Sequence, residues 1–404
     1  MSEGRAPSIG DIVAARDTII QSVDITPVVA ASALSERVGG HVVLKAECLQ
    51  RAGSFKVRGA TNKIHALGDV AAHGVIAGSA GNHARSLSLA AEQAKVPCTI
   101  VVPANAPITK VEACRAHGAE VIECPGTVDD AISHARSLAT DLGRNFCPPF
   151  DDTATIAGQG TIGLELLDQV PAAATVVIPV GGGGLAGGIA IVVRAQRPDI
   201  RLVGVQAAAC APYAGRPAPD HAPATLADGI AVKRPGTITG PLIRDLLDDV
   251  VTVDEDAIAD AMTLLLEESR LVVEGAGAVG VAALLTDPTL AAGSGDTVVV
   301  VSGGNVDLEV LQRLIRRRES RAGRRIIVDA VIDDRPGSLA ELLAAFASEG
   351  ADLIEVNHLR EGIDLGLGAT AVRATFRVRD ADQADRARHA AEAAGFTVEH
   401  AVVN

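Results

Sequence analysis

At 404 residues the chain is too long for one ordinary core, which implies two or three domains. Apolar residues make up 48% and aromatics only 2%, so aliphatic side chains and alanine must fill the cores. A formal charge of −14 argues against nucleic acid and anionic membrane as main partners. Cys48, Cys98, Cys114, Cys124, Cys147 and Cys210 are scattered with no CxxC pair and read as reduced thiols of a cytoplasmic protein. The first residues, "MSEGRAPSIGDIVAARD", carry early acidic groups and no apolar leader, so no signal peptide is expected.

Along the chain, Ser8 with Asp11 three residues on resembles a cap before the helix-like "IVAARDTII". Short apolar runs follow at wide spacing: "HVVLKAE", "GVIAGS", "CTIVVP", "TVVIPV", "RLVGVQ", "VVTV" and "TVVVVS". Helix-like stretches at 82–95, 127–142, 254–272 and 304–318 lie between or after them. Strands alternating with helices predict a parallel α/β sheet covered on both faces. Ligands of such sheets sit at the carboxyl ends of strands. The uncharged run "ATVVIPVGGGGLAGGIAIVV", residues 174–193, could pass for a membrane span. Pro179 and six glycines interrupt it, so it reads as a buried strand, a glycine loop and a helix. Seven arginines between 313 and 325 read as a solvated helix end plus linker, because no aromatic residue interleaves them for base stacking. From 325 to 404 the segments "RIIVDAVID", "GSLAELLAAFASEG", "ADLIEVNHL", "GATAVRATFRVRD", "QADRARHAAEAAG" and "FTVEHAVV" spell β-α-β-β-α-β, a ferredoxin-like unit.

Gly182, Gly184 and Gly187 satisfy GxGxxG after a strand. The match is weak, because six of the eight residues from Gly181 to Gly188 are glycine. A dinucleotide site also needs an acidic residue ending the next strand, and "RLVGVQ" ends in Gln206. What survives is the physics of consecutive glycines at a helix N-terminus, whose N–H groups can converge on a phosphate. The chain has only six lysines, and Lys56 stands among small and apolar residues in "RAGSFKVRGATNKI", where a helix begins. It is either a surface cation or an amine kept for covalent chemistry. A phosphate cradle, a sequestered lysine and no nucleotide signature together suggest pyridoxal phosphate, whose aldehyde condenses with a lysine amine. The loops "SAGNHA" (79–84) and "SGGN" (302–305) also place small and polar residues at strand ends.

"GSFKVRGA", "SAGNHA", "PFDDTATIAGQGT", "GGGGL", "ADGIAV" and "SGGNVD" occur in the order found in pyridoxal-phosphate enzymes of the tryptophan-synthase-β fold type. Over residues 10 to 320 the chain most resembles the threonine dehydratases (threonine ammonia-lyases). "DRPGSLAELL" is similar to the first turn and helix of ACT domains, which sense amino acids. The resemblance implies an α/β fold of type II, with two parallel α/β subdomains in residues 1–320 and the smaller one inserted at about 53–152. A ferredoxin-like ACT-like domain follows at 325–404.

Carried over residue by residue, the resemblance makes Lys56 the Schiff-base lysine and lays Phe55 against the cofactor ring. Asn82 would bond the ring hydroxyl. Gly181, Gly182, Gly183 and Gly184, with the backbone of Leu185, would hold the phosphate. Ser302 would meet the pyridine nitrogen. Ser79, Ala80, Gly81, Asn82 and His83 form the loop that grips the substrate carboxylate. Lys56 would remove the α-proton of L-threonine or L-serine, and loss of the β-hydroxyl would lead to a 2-oxoacid and ammonia. A serine at the ring nitrogen favours elimination over transamination. Gln206 stands where many relatives carry a cation-binding glutamate, so no metal is expected. Ala80 replaces the serine that racemising relatives use as an opposite-face acid. ACT-like units generally pair, so the resemblance implies a homotetramer or homodimer; isoleucine or valine is the expected effector, because isoleucine lies downstream of threonine deamination, and "EVNHLREG" (355–362) is a candidate part of that site. Two alternatives are a serine dehydratase or racemase of the same fold and a cofactor-binding amino-acid sensor without turnover.

Overall fold

A computed structural model describes residues 4–216, 224–359 and 367–400, the side chain of His400 excepted. The chain divides into two compact units, Met1–Val306 and Asp307–Asn404.

The first unit carries strands β1 (Val28–Ala30), β2 (Val42–Ala46), β3 (Val75–Gly78), β4 (Cys98–Pro103), β5 (Glu120–Cys124), β6 (Asn145–Phe146), β7 (Ala173–Pro179), β8 (Arg201–Ala207), β9 (Asp249–Val253) and β10 (Asp296–Val301). One sheet runs β1-β2-β10-β7-β8-β9, and the second β5-β4-β3-β6. Every pairing is parallel except β1 with β2. Parallel strands are covered on both faces, and the sequence shows it: every residue of β2, β3 and β4 is buried, as is nearly all of β7, β8 and β10. Ser8 and Asp11 form the expected reciprocal cap of the helix Ile9–Ile19. The helices expected at 82–95, 127–142 and 254–272 are Asn82–Ala94, Val128–Asp141 and Glu255–Glu268.

Two long helices lie where the sequence shows no helical period. Thr153–Gln169 covers all of "TATIAGQGT", and Gly275–Thr286 covers "GAGAVGVAALLT". Both are buried nearly all round, so no polar face marks their period. Glycine is used there for close approach. A Cβ on Gly158 would lie 2.6 Å from Arg58 O and 2.7 Å from Gly59 Cα, and one on Gly188 would lie 2.7 Å from Gly160 N. Helix Thr153–Gln169 is thereby clamped between the lysine helix, Lys56–Leu67, and the cradle helix, Gly184–Gln196.

A buried charge cluster ties the same elements together. Arg58 donates to Glu47 Oε1 and Oε2 at 2.8 and 2.9 Å and to Glu165 Oε1 and Oε2 at 2.6 and 3.0 Å. Lys45 Nζ, on β2, reaches Glu165 Oε2 at 2.6 Å. The first turn of the lysine helix is thus fixed to β2 and to helix Thr153–Gln169.

In the second unit a helix, Leu308–Arg321, precedes β11 (Arg325–Asp333), β12 (Asp352–Leu359), β13 (Ala369–Arg377) and β14 (Thr397–His400). The strands pair antiparallel in the order β12-β13-β11-β14, with helices Ser338–Ser348 and Ala381–Ala393 between them in sequence. This is the ferredoxin-like βαββαβ order. The arginine-rich run is the end of a helix, through Arg321, followed by residues 322–324 before β11. Leu314 is buried in that helix, and the division between units falls ahead of it, at 306/307.

Candidate active site

The predicted site residues lie on loops that leave the carboxyl ends of β2, β3, β7 and β10. The loop after β2 delivers Phe55 and Lys56, and the lysine opens its helix. Phe55 N–H donates to Ser302 O at 3.1 Å, and Ser54 bridges Gly303, so the lysine is anchored beside the end of β10. Lys56 Nζ donates to Pro149 O at 2.7 Å and lies 5.2 Å from the centre of the Phe55 ring. Desolvation pushes its pKa down to about 8, against the pull of Glu274's charge.

The other lysines have different surroundings. Lys45, Lys63, Lys110 and Lys233 each meet a carboxylate, of Glu165, Asp152, Asp228 and Asp129 respectively. Lys95 is an exposed residue capping a helix end. Lys56 instead rests on a neutral carbonyl.

Gly181 to Leu185 form the cradle at the end of β7. Gly183 has φ +90°, which a side chain would strain. A Cβ on Gly182 would run into the Phe150 ring, and one on Gly181 would lie 2.9 Å from Ile230 Cα. Among the described residues, the amides of Gly181, Gly182, Gly183, Gly184 and Leu185 donate to no protein acceptor; the first bond of the helix is Gly187 N to Gly183 O, 2.8 Å. Unpaired amides in a buried loop call for an anion, and these fit a phosphate. Gln206, which excluded a ribose contact, is buried with its amide committed within the protein, Nε2 to Val180 O at 3.1 Å and Oε1 from Tyr213 N at 2.9 Å.

At the end of β3, Ser79 Oγ accepts from Gly81 N at 3.2 Å, and Ala80 is partly buried. His83 is buried, with Nε2 2.9 Å from Cys147 O. A carbonyl only accepts, so Nε2 carries the proton. Desolvation and Lys56's charge push the pKa of His83 down to about 4, so the ring is neutral at pH 7. Asn82 Nδ2 donates to Glu274 Oε1 at 2.6 Å, and Oδ1 accepts from Asn305 Nδ2 at 2.7 Å. One of its amide hydrogens is therefore committed inside the protein. Ser302 is 2% exposed.

Sequence reasoning missed Glu274 and gave residues 149–151, which open "PFDDTATIAGQGT", no role. Glu274 heads helix Gly275–Thr286 and bonds Gly303 O through its own N–H at 3.1 Å. Burial first, and Asp228's charge second, raise its pKa to about 7, while the hydrogen bond from Asn82 opposes them. Its one signal was a lone carboxylate between "LVV" and an uncharged glycine–alanine run.

The strand-end lysine, the amide cradle and two fused parallel sheets define a pyridoxal-phosphate enzyme of fold type II. The family model described as pyridoxal-phosphate dependent enzyme matches residues 19–303, and the chain belongs to that family. Its cofactor is pyridoxal phosphate, and membership in a family of enzymes sets aside a sensor without turnover. The chain is 39% identical over 397 residues to the L-threonine ammonia-lyase of Thermotoga maritima, covering 97% of this chain and 98% of the relative. It is 41% identical to that of Geobacter sulfurreducens, covering 90% and 92%. Among solved structures, maize serine racemase superposes with TM-score 0.72 at 36% identity, covering 78% of this chain and 99% of that one. The processed form of threonine deaminase isoform 2 from Solanum lycopersicum superposes with TM-score 0.71 at 33% identity, covering 77% and 89%. Among the described residues no helix is long and apolar enough to cross a membrane.

Proposed function

We propose that the chain is a cytoplasmic threonine ammonia-lyase, converting L-threonine to 2-oxobutanoate and ammonia and L-serine to pyruvate and ammonia. The observation that carries this reading is Lys56, an amine resting on a carbonyl oxygen beside the phosphate-type cradle, in a chain so similar to threonine ammonia-lyases along its whole length. Pyridoxal phosphate, when bound, supplies an aldehyde for the substrate amine and a ring that accepts electron density from the α-carbon.

The protein's residues do the rest. Gly181 to Leu185 hold the phosphate, and Phe55 packs against the ring. Asn82 keeps one amide hydrogen for the ring hydroxyl. The loop Ser79, Ala80, Gly81, Asn82 and His83 receives the substrate carboxylate at a helix N-terminus. Lys56, with a pKa near 8, is neutral often enough near pH 7 to take the α-proton. Ser302 offers the ring nitrogen a neutral hydroxyl, which limits electron withdrawal and favours loss of the β-hydroxyl over transamination. The likeness to maize serine racemase supports a second reading, racemisation, but Ala80 has no proton to deliver to the opposite face.

The second unit we assign to regulation, as a pairing ACT-like module that assembles the chain into a homodimer or homotetramer and binds isoleucine or valine. All eight residues of the edge strand β12 are exposed, among them Leu353, Ile354, Val356 and Leu359, which suits pairing. Of the candidate segment "EVNHLREG", residues 355–359 lie on β12 and 360–362 lie outside the described residues.

The test is direct. Incubation with L-threonine should release 2-oxobutanoate, and with L-serine should release pyruvate with negligible D-serine on chiral chromatography. No 2-oxobutanoate would refute the lyase, and D-serine forming as fast as pyruvate would establish the racemase.

A further inference from the structure

Pro149, Phe150 and Asp151 join three parts of the site. Pro149 O holds Lys56, the Phe150 ring fills the space beside Gly182, and Asp151 binds a distant turn. The Asp151 carboxylate accepts from Thr237 N and Oγ1, both at 2.8 Å, from Ile238 N at 2.9 Å and from Thr239 N at 3.1 Å. The turn so fixed presents a buried hydroxyl to the back of the cradle. Thr239 Oγ1 donates to Gly182 O at 2.6 Å, and Tyr213 Oη reaches the same oxygen at 3.3 Å. Two peptide units away, Gln206 Nε2 donates to Val180 O at 3.1 Å, while its Oε1 accepts from Tyr213 N and Ala214 N at 2.9 and 3.2 Å.

A trans peptide points its C=O and N–H in opposite directions, and no peptide among the described residues is cis. Pinning Gly182 O on one side therefore aims Gly183 N–H at the other. Pinning Val180 O does the same for Gly181 N–H. These two amides belong to the set that donates to no protein acceptor. The brace also occupies the space beside Gly183, where a Cβ would lie 2.9 Å from both Thr239 Cβ and Tyr213 Oη.

We propose that Thr239, Tyr213 and Gln206 are positioning residues for the cofactor phosphate. They hold two carbonyls from behind, so the amides of Gly181 and Gly183 face the phosphate before it arrives. The proposal rests on the reading that Gly181 to Leu185 hold the phosphate. Glycine alone leaves such a loop free to turn its peptides either way, and the brace removes that freedom, so phosphate binding meets a smaller ordering cost.

The cofactor itself provides the discriminating experiment, because pyridoxal is pyridoxal phosphate without the phosphate. Apo-protein would be titrated with each, following cofactor absorbance, for the wild type and for Thr239→Val, Thr239→Ser, Tyr213→Phe and Gln206→Glu. Wild-type protein should bind pyridoxal phosphate far more tightly than pyridoxal. Thr239→Val should weaken pyridoxal phosphate tenfold or more and pyridoxal less than twofold, and Thr239→Ser should restore the difference. Gln206→Glu, isosteric but unable to donate to Val180 O when ionised, should behave like Thr239→Val, and Tyr213→Phe should show the same selective loss to a smaller degree. If the wild type bound both ligands equally, the cradle reading itself would fall. If the wild type discriminated and the folded variants discriminated equally well, or lost both ligands in parallel, the brace would be refuted alone. Should Thr239→Val not fold, Tyr213→Phe and Gln206→Glu decide by the same ratio.

Discussion

The two units bury different things. The first buries Lys45, Glu47, Arg58, Lys63 and Glu274, most of them within hydrogen-bond reach of one another or of the site. Among the described residues of the second, the buried polar side chains are Ser338, Thr370 and Thr375, with no charge among them. The second unit keeps its charges on its surface, as in the pair Arg373–Asp329 at 2.6 Å. Burying charge is costly unless every group is paired, so a fold carries such clusters where position matters more than stability. The difference separates a unit with a buried framework of paired charges from one whose described core is apolar apart from three hydroxyl side chains.

Two ion pairs sharpen that contrast. Arg58→Met leaves buried Glu47 without its ion-pair partner and Glu165 with Lys45 alone, and should destabilise the first unit by about 3–5 kcal/mol. Arg373→Met removes a pair whose side chains are 56% and 40% exposed and should change the second by less than about 1 kcal/mol. Urea unfolding of both variants would show it, and equal losses would break the comparison.

Glu274 gives a pH signature of the first unit alone. Its pKa is raised to about 7, so between its ordinary value and pH 7 the folded state holds a proton that the unfolded state has released. Stability therefore falls as pH rises through that window and stays reduced above it. Glu274→Gln, which still accepts from Asn82, should leave the apo-protein little changed at pH 4 and stabilise it at pH 8, by at most about 3 kcal/mol. Thermal unfolding at the two pH values would read this; an effect of equal size at both would show that Glu274 does not titrate as described.

The smallest expected effect on turnover is removal of the second unit. A chain ending at Val306 should retain pyridoxal phosphate and change threonine turnover by less than about twofold, since domains with their own cores fold alone. It should lose any response to isoleucine or valine in initial-rate titrations. If the shortened chain responded as the full chain does, the regulatory assignment would have to go.

These contrasts also explain what could be read from sequence. Strand-end loops were legible because buried parallel strands are short apolar runs, and glycine or small polar residues mark where each run stops, as at Ser79, Gly181 and Ser302. The helix Thr153–Gln169 was not, because burial on all sides erases the polar face that would reveal a helical period. The Arg58 cluster was not, because it joins residues 45, 47, 58 and 165, and a lone arginine or glutamate in sequence reads as surface. Glu274 meets Asn82 across 192 residues, a pairing that only the fold creates.

The central claim is that Lys56 is the amine set apart for the cofactor. Borohydride reduction of the holo-protein, proteolysis and mass mapping of the modified peptide would test it most directly. The label should fall on the peptide holding Lys56, whose partner is the neutral carbonyl of Pro149. A label on Lys45, Lys63 or Lys110, each of which meets a carboxylate, would contradict the account.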